Sequence, residues 1–253
     1  MSQQIELQQN ISNDDTAKLP SLQFEGRIVI VDSEEQIAAA CEDLSRHPII
    51  GFDTETRPSF KAGVSFKVGL IQLSTPNCCY LFRINKIPLD REILRVLENP
   101  NILKIGADVI GDIRGLRAIR HFKDRGFIDL QSIVSRWGIA EKSLRKMSAI
   151  VLGYRISKAQ RLSNWEATTL TPPQQQYAAT DAWACIEIFN KLQTIPHADS
   201  QPSQQEEIES MVMTEDIPET KREKTKKRPF RRRRKKSATS TEVANTQTAT
   251  TQQ

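Results

Sequence analysis

The order of apolar segments along the chain restricts its fold more than any other feature of the sequence. Three short apolar runs, at residues 49–55, 67–74 and 79–84, follow one another, and the turn-prone segment Thr75-Pro76-Asn77 separates the second from the third. From residue 91 onward, helical and strand-like patterns alternate instead. A meander of three strands followed by strand–helix alternation predicts an α/β domain with a mixed sheet flanked by helices.

Capping signals mark where two of the predicted helices begin. Ser33 and Gln36 stand three residues apart before an apolar helical repeat, and Thr171 and Gln174 have the same spacing around two prolines. Each pair predicts a helix start, because the two side chains satisfy N–H groups that the first turn leaves without partners. The predicted helices cover residues 34–46, 91–98, 110–119, 131–137, 143–152 and 171–192, and two further strands cover residues 103–106 and 127–130.

The apolar content predicts the boundaries of the folded region. Hydrophobic residues make up 38% of the chain, which is low for a sequence that folds throughout. The deficit lies at both ends, where Gln, Asn, Ser, Thr and charged residues replace branched and aromatic ones. Such segments bury too little apolar surface to offset the entropy of ordering. We therefore expect disordered segments at residues 1–21 and 196–253, and one folded domain at residues 22–195.

The charge is distributed unevenly. Residues 221–236 hold twelve Lys or Arg and one Glu. This run contributes +11 to a net charge of +5, so the rest of the chain carries a net charge of −6. A run of this kind attracts polyanions, above all nucleic acid, or serves as a solubilising or nuclear-targeting segment. The residues of the run that we expect to contact phosphates are Lys226, Lys227, Arg228, Arg231, Arg232, Arg233 and Arg234.

Cysteine and histidine usage argues against a zinc site and against disulfides. The four cysteines, Cys41, Cys78, Cys79 and Cys185, lie in apolar runs without metal-ligand spacing, and the three histidines are scattered. Core thiols are typical of a reducing compartment, so we expect a cytoplasmic protein, or a nuclear one if the chain is eukaryotic. No run of about 18 apolar residues and no signal-peptide pattern occurs, so no membrane association is expected.

Two acidic residues occupy an apolar strand. Asp53 and Glu55 stand two residues apart, and the period of a strand puts both side chains on one face of the sheet. Two like charges beside Ile50 and Phe52 need neutralisation, for which a divalent cation such as Mg²⁺ or Mn²⁺ is suited. The alternative is a strand end at which water solvates both acids.

Further acidic residues occur near predicted helix starts and within the last helix. Asp181 follows Tyr177 by four residues, which places both on one helix face. Asp108 and Asp112 follow the predicted strand 103–106 at the start of a helix, where carboxylates also serve as ordinary partners of the helix dipole. Tyr177 taken alone is more typical of a half-buried core aromatic residue.

These residues occur together in motifs that resemble one known family. The motifs are Gly51-Phe52-Asp53-Thr54-Glu55-Thr56 with Val68-Gly69-Leu70-Ile71-Gln72-Leu73, then Lys104-Ile105-Gly106 through Asp112 and Leu116, then Leu162-Ser163-Asn164-Trp165, and finally Leu170-Thr171-Pro172 with Tyr177-Ala178-Ala179-Thr180-Asp181-Ala182-Trp183. In order and spacing they resemble the DEDD 3′–5′ exonucleases of the tyrosine subtype, the group of ribonuclease D and the Werner-type exonuclease domain.

The resemblance implies a fold, an activity and a set of roles. The fold is ribonuclease-H-like, with a five-stranded sheet of order 3-2-1-4-5. The activity is hydrolysis of phosphodiester bonds from a 3′ end, with release of nucleoside 5′-monophosphates and with two divalent cations, Mg²⁺ or Mn²⁺, as cofactors. By resemblance Asp53, Glu55 and Asp181 hold one ion, Asp53 also bridges to the second, and Asp112 holds that second ion mainly through water. Tyr177 orients the attacking water.

The substrate is expected to be a nucleic acid, either single-stranded or at the 3′ end of a duplex. Residues expected near the terminal base or the phosphates are Thr54, Phe66, Leu73, Lys158, Arg161 and Trp165. The resemblance leaves open RNA maturation or DNA processing, and the sequence does not predict an oligomeric state. The alternative function is a non-catalytic nucleic-acid-binding scaffold with a degenerate exonuclease fold. The presence of all four carboxylates and Tyr177 argues against it.

Overall fold

The computed structural model describes residues 7–61 and 63–197 of the chain. They form a six-stranded mixed sheet with helices on both faces. The strands are β1 (Arg27–Val31), β2 (Ile49–Thr56), β3 (Val68–Ser74), β4 (Cys78–Phe82), β5 (Leu103–Gly106) and β6 (Phe127–Asp129). The helices are α1 (Asn13–Lys18), α2 (Ile37–Leu44), α3 (Arg91–Glu98), α4 (Val109–Arg117), α5 (Leu130–Ile133), α6 (Leu144–Leu152) and α7 (Pro172–Gln193).

The strands lie in the order β1-β4-β3-β2-β5-β6. β2, β3 and β4 form the predicted antiparallel meander, and β5 and β6 continue the sheet in parallel to β2. The ribonuclease-H-like fold is confirmed, and the implied order 3-2-1-4-5 corresponds to β4-β3-β2-β5-β6. The predicted number of five strands is wrong, because β1 pairs in parallel with β4 and adds a sixth strand at the edge. Its sequence, Arg-Ile-Val-Ile-Val, lacks alternation, and pairing with β4 makes it a strand.

The two faces of the sheet have different neighbours. Ile50 and Phe52 of β2 belong to the core beneath α2, α3 and α4. Leu70 of β3 and Ala178 of α7 share a second cluster on the other face. Because successive residues of a strand point to opposite faces, Asp53 lies on the α7 side of β2. This alternation brings the acidic residues of β2 toward the last helix.

The capping signals correspond to observed helix starts. Thr171 accepts a hydrogen bond from the Gln174 N–H, and the Gln174 side chain accepts one from the Thr171 N–H. Gln36 likewise accepts a hydrogen bond from the Ser33 N–H, and this box caps a 3₁₀ turn at Glu34–Gln36 that leads directly into α2. The 22-residue helix α7 therefore begins where the sequence predicts, and this fixes which of its residues face the sheet.

The prediction of disorder over residues 1–21 is wrong for residues 7–21. Ser12 caps α1 by accepting a hydrogen bond from the Asp15 N–H, and Thr16 is fully buried. Arg155 forms two hydrogen bonds with this segment: its backbone N–H donates to the Pro20 carbonyl, and its Nε donates to the Leu19 carbonyl. Composition does not reveal these contacts, because they come from residues more than 130 positions away. Residues 198–253, with the basic run 221–236, lie outside the described residues.

The described helices include none with the length and apolar character needed to cross a membrane.

Candidate active site

β2 carries two carboxylates on one face of the sheet. Asp53 and Glu55 stand opposite Gln72 and Leu70 of β3. β2 runs for eight residues, whereas on its other side β5 pairs only with residues 49–51. The carboxyl end of β2 is therefore open on that side, and both acidic side chains are half-buried there. An open strand end of this kind leaves room for groups from other elements.

Helix α7 crosses β2 at Gly51, and this crossing places Asp181 beside the strand. A Cβ atom at Gly51 would lie 1.9 Å from the carbonyl oxygen of Ala182, so a larger residue would force the helix away. The glycine thus permits the close approach of helix and strand. Tyr177 lies one turn before Asp181, and both side chains line the same cavity.

The fold brings the predicted carboxylates together from three elements. One oxygen from each of Asp53, Glu55 and Asp181 lies within 4.8 Å of the other two. Asp112 joins them from α4, where its Oδ1 accepts a hydrogen bond of 2.5 Å from the Thr54 hydroxyl. Because Thr54 lies between the two acidic residues of β2, this bond ties α4 to the same strand end.

Burial raises the pKa of every carboxyl in this cluster. The pKa of Asp53 lies well above its usual value because of burial, and the neighbouring charges of Asp112, Glu55 and Asp181 raise it further. Burial also raises the pKa of Glu55 to about 9 and those of Asp112 and Asp181 to about 7. Four carboxyls that resist ionisation in this arrangement would be stabilised as carboxylates by a nearby cation.

The cluster also contains oxygens without partners. The Asp112 Oδ2 and Asp181 Oδ1 atoms are buried and accept no hydrogen bond from any described residue. A buried carboxylate oxygen without a partner is costly in a folded protein. The donor set consists only of carboxylate oxygens, which suits hard cations such as Mg²⁺ or Mn²⁺. The residues present therefore fit a divalent-cation site.

Tyr177 is supported by a buried tryptophan. The ring of Trp165 lies 6.0 Å from the ring of Tyr177, centroid to centroid, with a tilt of 36°. Trp165 is fully buried, so the prediction that it contacts substrate is wrong. Its role in the structure is to pack behind Tyr177, because the segment before α7 folds under the helix. Burial, followed by the charges of Asp181 and Glu55, raises the pKa of Tyr177, which therefore stays protonated.

The prediction for Leu73 is also wrong. Leu73 is fully buried and lies opposite Phe52, in the core beneath α2, α3 and α4. It therefore lies on the face of the sheet opposite to Asp53, where a terminal base cannot reach it. The physical reason is the period of two along a strand, since a shift of one residue changes the face.

The remaining predicted contact residues lie around the cluster. Lys158 and Arg161 line a cavity of about 220 Å³ together with Tyr177 and Asp181. Phe66 is half-buried in a different cavity. Thr54 binds Asp112, as described above. The basic residues Lys226, Lys227, Arg228, Arg231, Arg232, Arg233 and Arg234 lie outside the described residues.

Sequence reasoning missed two polar residues next to the carboxylates. Gln72 is fully buried opposite Asp53, and neither atom of its amide has a partner among the described residues. Its signal was a polar residue inside an otherwise apolar strand. Asp129 ends β6 and accepts hydrogen bonds from the N–H groups of Asp108 and Val109, which fixes the start of α4 and hence Asp112. No sequence pattern links Asp129 to α4, because the contact is tertiary.

Fold and site together define a class of protein. Acidic side chains collected from a central strand and neighbouring helices of a ribonuclease-H-like sheet are typical of nucleases that use divalent cations. Residues 28–195, which make up more than half of the chain, match the family model described as 3′–5′ exonuclease. The chain belongs to this family of 3′–5′ exonuclease domains, of the DEDD type.

Individual relatives agree with the family assignment. The chain is 35% identical over 184 residues to the bifunctional 3′–5′ exonuclease/ATP-dependent helicase WRN of Mus musculus, which corresponds to 69% of this chain and 13% of that protein. It is 27% identical over 210 residues to a 3′–5′ exonuclease of Arabidopsis thaliana, which corresponds to 71% of this chain and 68% of that protein. The mouse protein is thus far longer than the shared domain.

Solved structures show the same fold. The exonuclease domain of Aedes aegypti Nibbler superposes with a TM-score of 0.62 at 23% identity, over 69% of this chain and 92% of that one. Escherichia coli RNase D superposes with a TM-score of 0.60 at 21% identity, over 76% of this chain and 52% of that one.

Proposed function

We propose that this chain hydrolyses phosphodiester bonds one at a time from the 3′ end of a nucleic acid and releases nucleoside 5′-monophosphates. One observation carries the proposal. Asp53, Glu55 and Asp181 bring carboxylate oxygens within 4.8 Å of one another inside a 3′–5′ exonuclease domain. These residues come from β2 and α7, which only the fold brings together.

We infer two divalent cations, Mg²⁺ or Mn²⁺, as cofactors. Asp53, Glu55 and Asp181 would hold one of them. Asp53 would be shared with the second, which Asp112 would reach mainly through water. The partnerless oxygens of Asp181 and Asp112 support this assignment. When bound, such cations lower the pKa of water and offset the charge that develops on the leaving 3′ oxygen.

Tyr177 has the role of orienting water in this proposal. Its pKa is raised, so its hydroxyl stays protonated and forms hydrogen bonds rather than removing a proton. The Trp165 ring behind it limits the positions that the phenol can take. A fixed hydroxyl one helical turn from Asp181 is placed to direct a water toward the scissile phosphate. This is the role that the resemblance to the tyrosine subtype implies.

Cationic residues would bring the substrate to the acidic cluster. Lys158 and Arg161 share a cavity with Tyr177 and Asp181, where they would contact the phosphates of the strand. Arg145 lines the same cavity and would add a further positive charge. The basic run at residues 221–236 would hold nucleic acid in a sequence-independent way.

The test is hydrolysis of a 5′-labelled oligonucleotide by the full chain in Mg²⁺ or Mn²⁺, with EDTA as the control. A ladder that shortens by single nucleotides from the 3′ end, with nucleoside 5′-monophosphate as the product, is expected with either cation and not in EDTA. Binding without hydrolysis under every cation tested would instead indicate a non-catalytic scaffold.

A further inference from the structure

An exposed apolar patch lies beside the end of β2. Within residues 7–61 and 63–197, five large hydrophobic side chains are exposed, and three of them line one cavity of about 580 Å³. These are Phe60 (83% exposed), Leu162 (60%) and Val64 (46%). The half-buried ring of Phe66 completes the cavity wall. We call these four residues the platform. Grouped exposed apolar side chains of this kind mark interaction sites on soluble domains.

Part of the platform lies on the loop that follows β2, the strand that carries Asp53 and Glu55. β2 ends at Thr56, one residue after Glu55, and the loop that follows carries Phe60. Five residues of chain span at most about 18 Å, so the Cα atom of Phe60 lies no farther than that from the Cα atom of Glu55. Successive nucleotides of a stacked strand rise by about 3.4 Å. A strand with its 3′ end at the carboxylates therefore has its next few bases within reach of the platform.

Two cationic side chains, Arg57 and Lys61, line the same cavity as the platform. The Arg57 guanidinium lies over the Phe66 ring, 4.8 Å from its centroid, and an ion pair with Glu166 at 3.5 Å orients it. Lys61 lines the cavity, is exposed and forms no ion pair with the residues described. Aromatic faces flanked by cations are the combination that binds single-stranded nucleic acid without regard to sequence.

Nucleic acid suits this surface better than a protein partner does. A bound strand is a polyanion with planar bases, so it needs positive charge and apolar surface a short distance from the catalytic end. The platform supplies both a stacking surface and positive charge at that distance. Its apolar residues are exposed around an open cavity of about 580 Å³, which has room for planar bases.

We propose that the platform binds, by stacking, unpaired bases of the substrate strand on the 5′ side of the terminal nucleotide. The proposal rests on the proposed function, because it places the 3′ end at the carboxylates. Its consequence is a preference for 3′ ends that are single-stranded over several nucleotides, since paired bases cannot stack on a protein surface.

The experiment compares a long substrate with a minimal one. Phe60→Ala and Leu162→Ala are tested on a ten-nucleotide single strand and on thymidine 5′-monophosphate p-nitrophenyl ester, which has no upstream base. Loss of one base–aromatic contact is expected to lower the ratio of kcat/KM on the oligonucleotide to that on the ester by about 5- to 150-fold. The loss should lie in KM. Phe60→Tyr, which keeps the ring, should restore the ratio.

Tyr154→Ala is the matched control, because Tyr154 is also an exposed aromatic residue (42% exposed) but lines a different cavity. Its ratio should equal that of the wild type. An equal loss in Tyr154→Ala, or an unchanged ratio in Phe60→Ala and Leu162→Ala, overturns the proposal. If light scattering shows that Phe60→Ala loses a dimer while its ratio is unchanged, the platform pairs with a second copy of the chain instead.

Abasic substrates test direct contact. Removal of single bases at the second to fourth positions from the 3′ end should raise the KM of the wild type. It should not raise the KM of Phe60→Ala above its value on the intact substrate, because that variant has already lost the contact. Additive effects would contradict stacking on Phe60.

Anisotropy of a labelled oligonucleotide in EDTA measures binding without catalysis. Weaker binding by Phe60→Ala would therefore support the platform even if the wild type hydrolysed nothing, an outcome that rejects only the proposed function.

Discussion

The buried carboxylate of Asp181 leads to a quantitative prediction about stability in the absence of metal. Asp181 is 7% exposed, lies within 4.8 Å of two other acidic groups, and has an oxygen without a partner. Asp181→Asn keeps the size of the side chain and removes its charge. We expect the variant to be more stable than the wild type in EDTA at pH 8, although it should bind the cation poorly.

The magnitude follows from the pKa. The pKa of Asp181 is raised to about 7, compared with about 3.9 in an unfolded chain. Since each pKa unit corresponds to about 1.4 kcal/mol, keeping this group ionised at pH 8 costs on the order of 4 kcal/mol. An amide without a partner in the same place costs roughly 1–3 kcal/mol. A net gain of at least about 1 kcal/mol in the free energy of unfolding remains.

The dependence on pH has a definite sign. A group whose pKa is raised by folding binds its proton more tightly in the folded state, so its contribution to stability is lost as the pH rises from about 4 to about 7. At pH 5 the cost of ionisation is only roughly 1–2 kcal/mol. The advantage of Asp181→Asn over the wild type should therefore grow by roughly 2–3 kcal/mol between pH 5 and pH 8.

Urea unfolding of both proteins at pH 5 and pH 8, in EDTA and in Mn²⁺, measures these differences. Mn²⁺ should stabilise the wild type strongly at pH 8 and the variant weakly, because a bound ligand stabilises only the state that binds it. A variant that is less stable than the wild type in EDTA at pH 8, or an advantage that shrinks as the pH rises, would refute the electrostatic reasoning.

Three further predictions concern activity. Asp53→Asn should abolish hydrolysis while circular dichroism shows an intact fold, because Asp53 is the proposed shared ligand; turnover near the wild-type rate would reject the two-ion assignment. Tyr177→Phe should lower kcat at least about tenfold in steady-state assays, with KM and cation binding unchanged, since only the hydroxyl is lost; full activity would make Tyr177 a core aromatic residue. Deletion of residues 221–253 should weaken oligonucleotide binding and flatten its salt dependence without changing kcat. Equal salt slopes would indicate a targeting role for the run.

Local patterns account for much of the site. The spacing of Asp53 and Glu55 places them on one face of a strand, and the spacing of Tyr177 and Asp181 places them on one face of a helix. Both arrangements follow from backbone geometry within a single element. The capping pair around Thr171 fixes where that helix begins. These features need no knowledge of the rest of the chain.

The errors arose where burial depends on distant partners. The residue types of Leu73 and Trp165 and their places in the motifs suggested contact with substrate, yet both side chains are fully buried. Residues 7–21 have a polar composition, yet Arg155 and its neighbours order them. Composition and spacing describe what a segment prefers alone, whereas these outcomes depend on which surface covers it.

By itself, the sequence determined the α/β class, the antiparallel meander and the helix starts. It also determined that Asp53 and Glu55 share one face of a strand, and that Tyr177 and Asp181 share one face of a helix. The tertiary structure alone decided that β2 and α7 meet at Gly51, that Thr54 ties Asp112 to the same strand end, and that β1 extends the sheet. The physical reason is that local backbone geometry acts only within one element. Periods of 2.0 and 3.6 residues fix the direction of a side chain within its own element, but the distance between elements follows from packing at a few contacts such as Gly51 against Ala182.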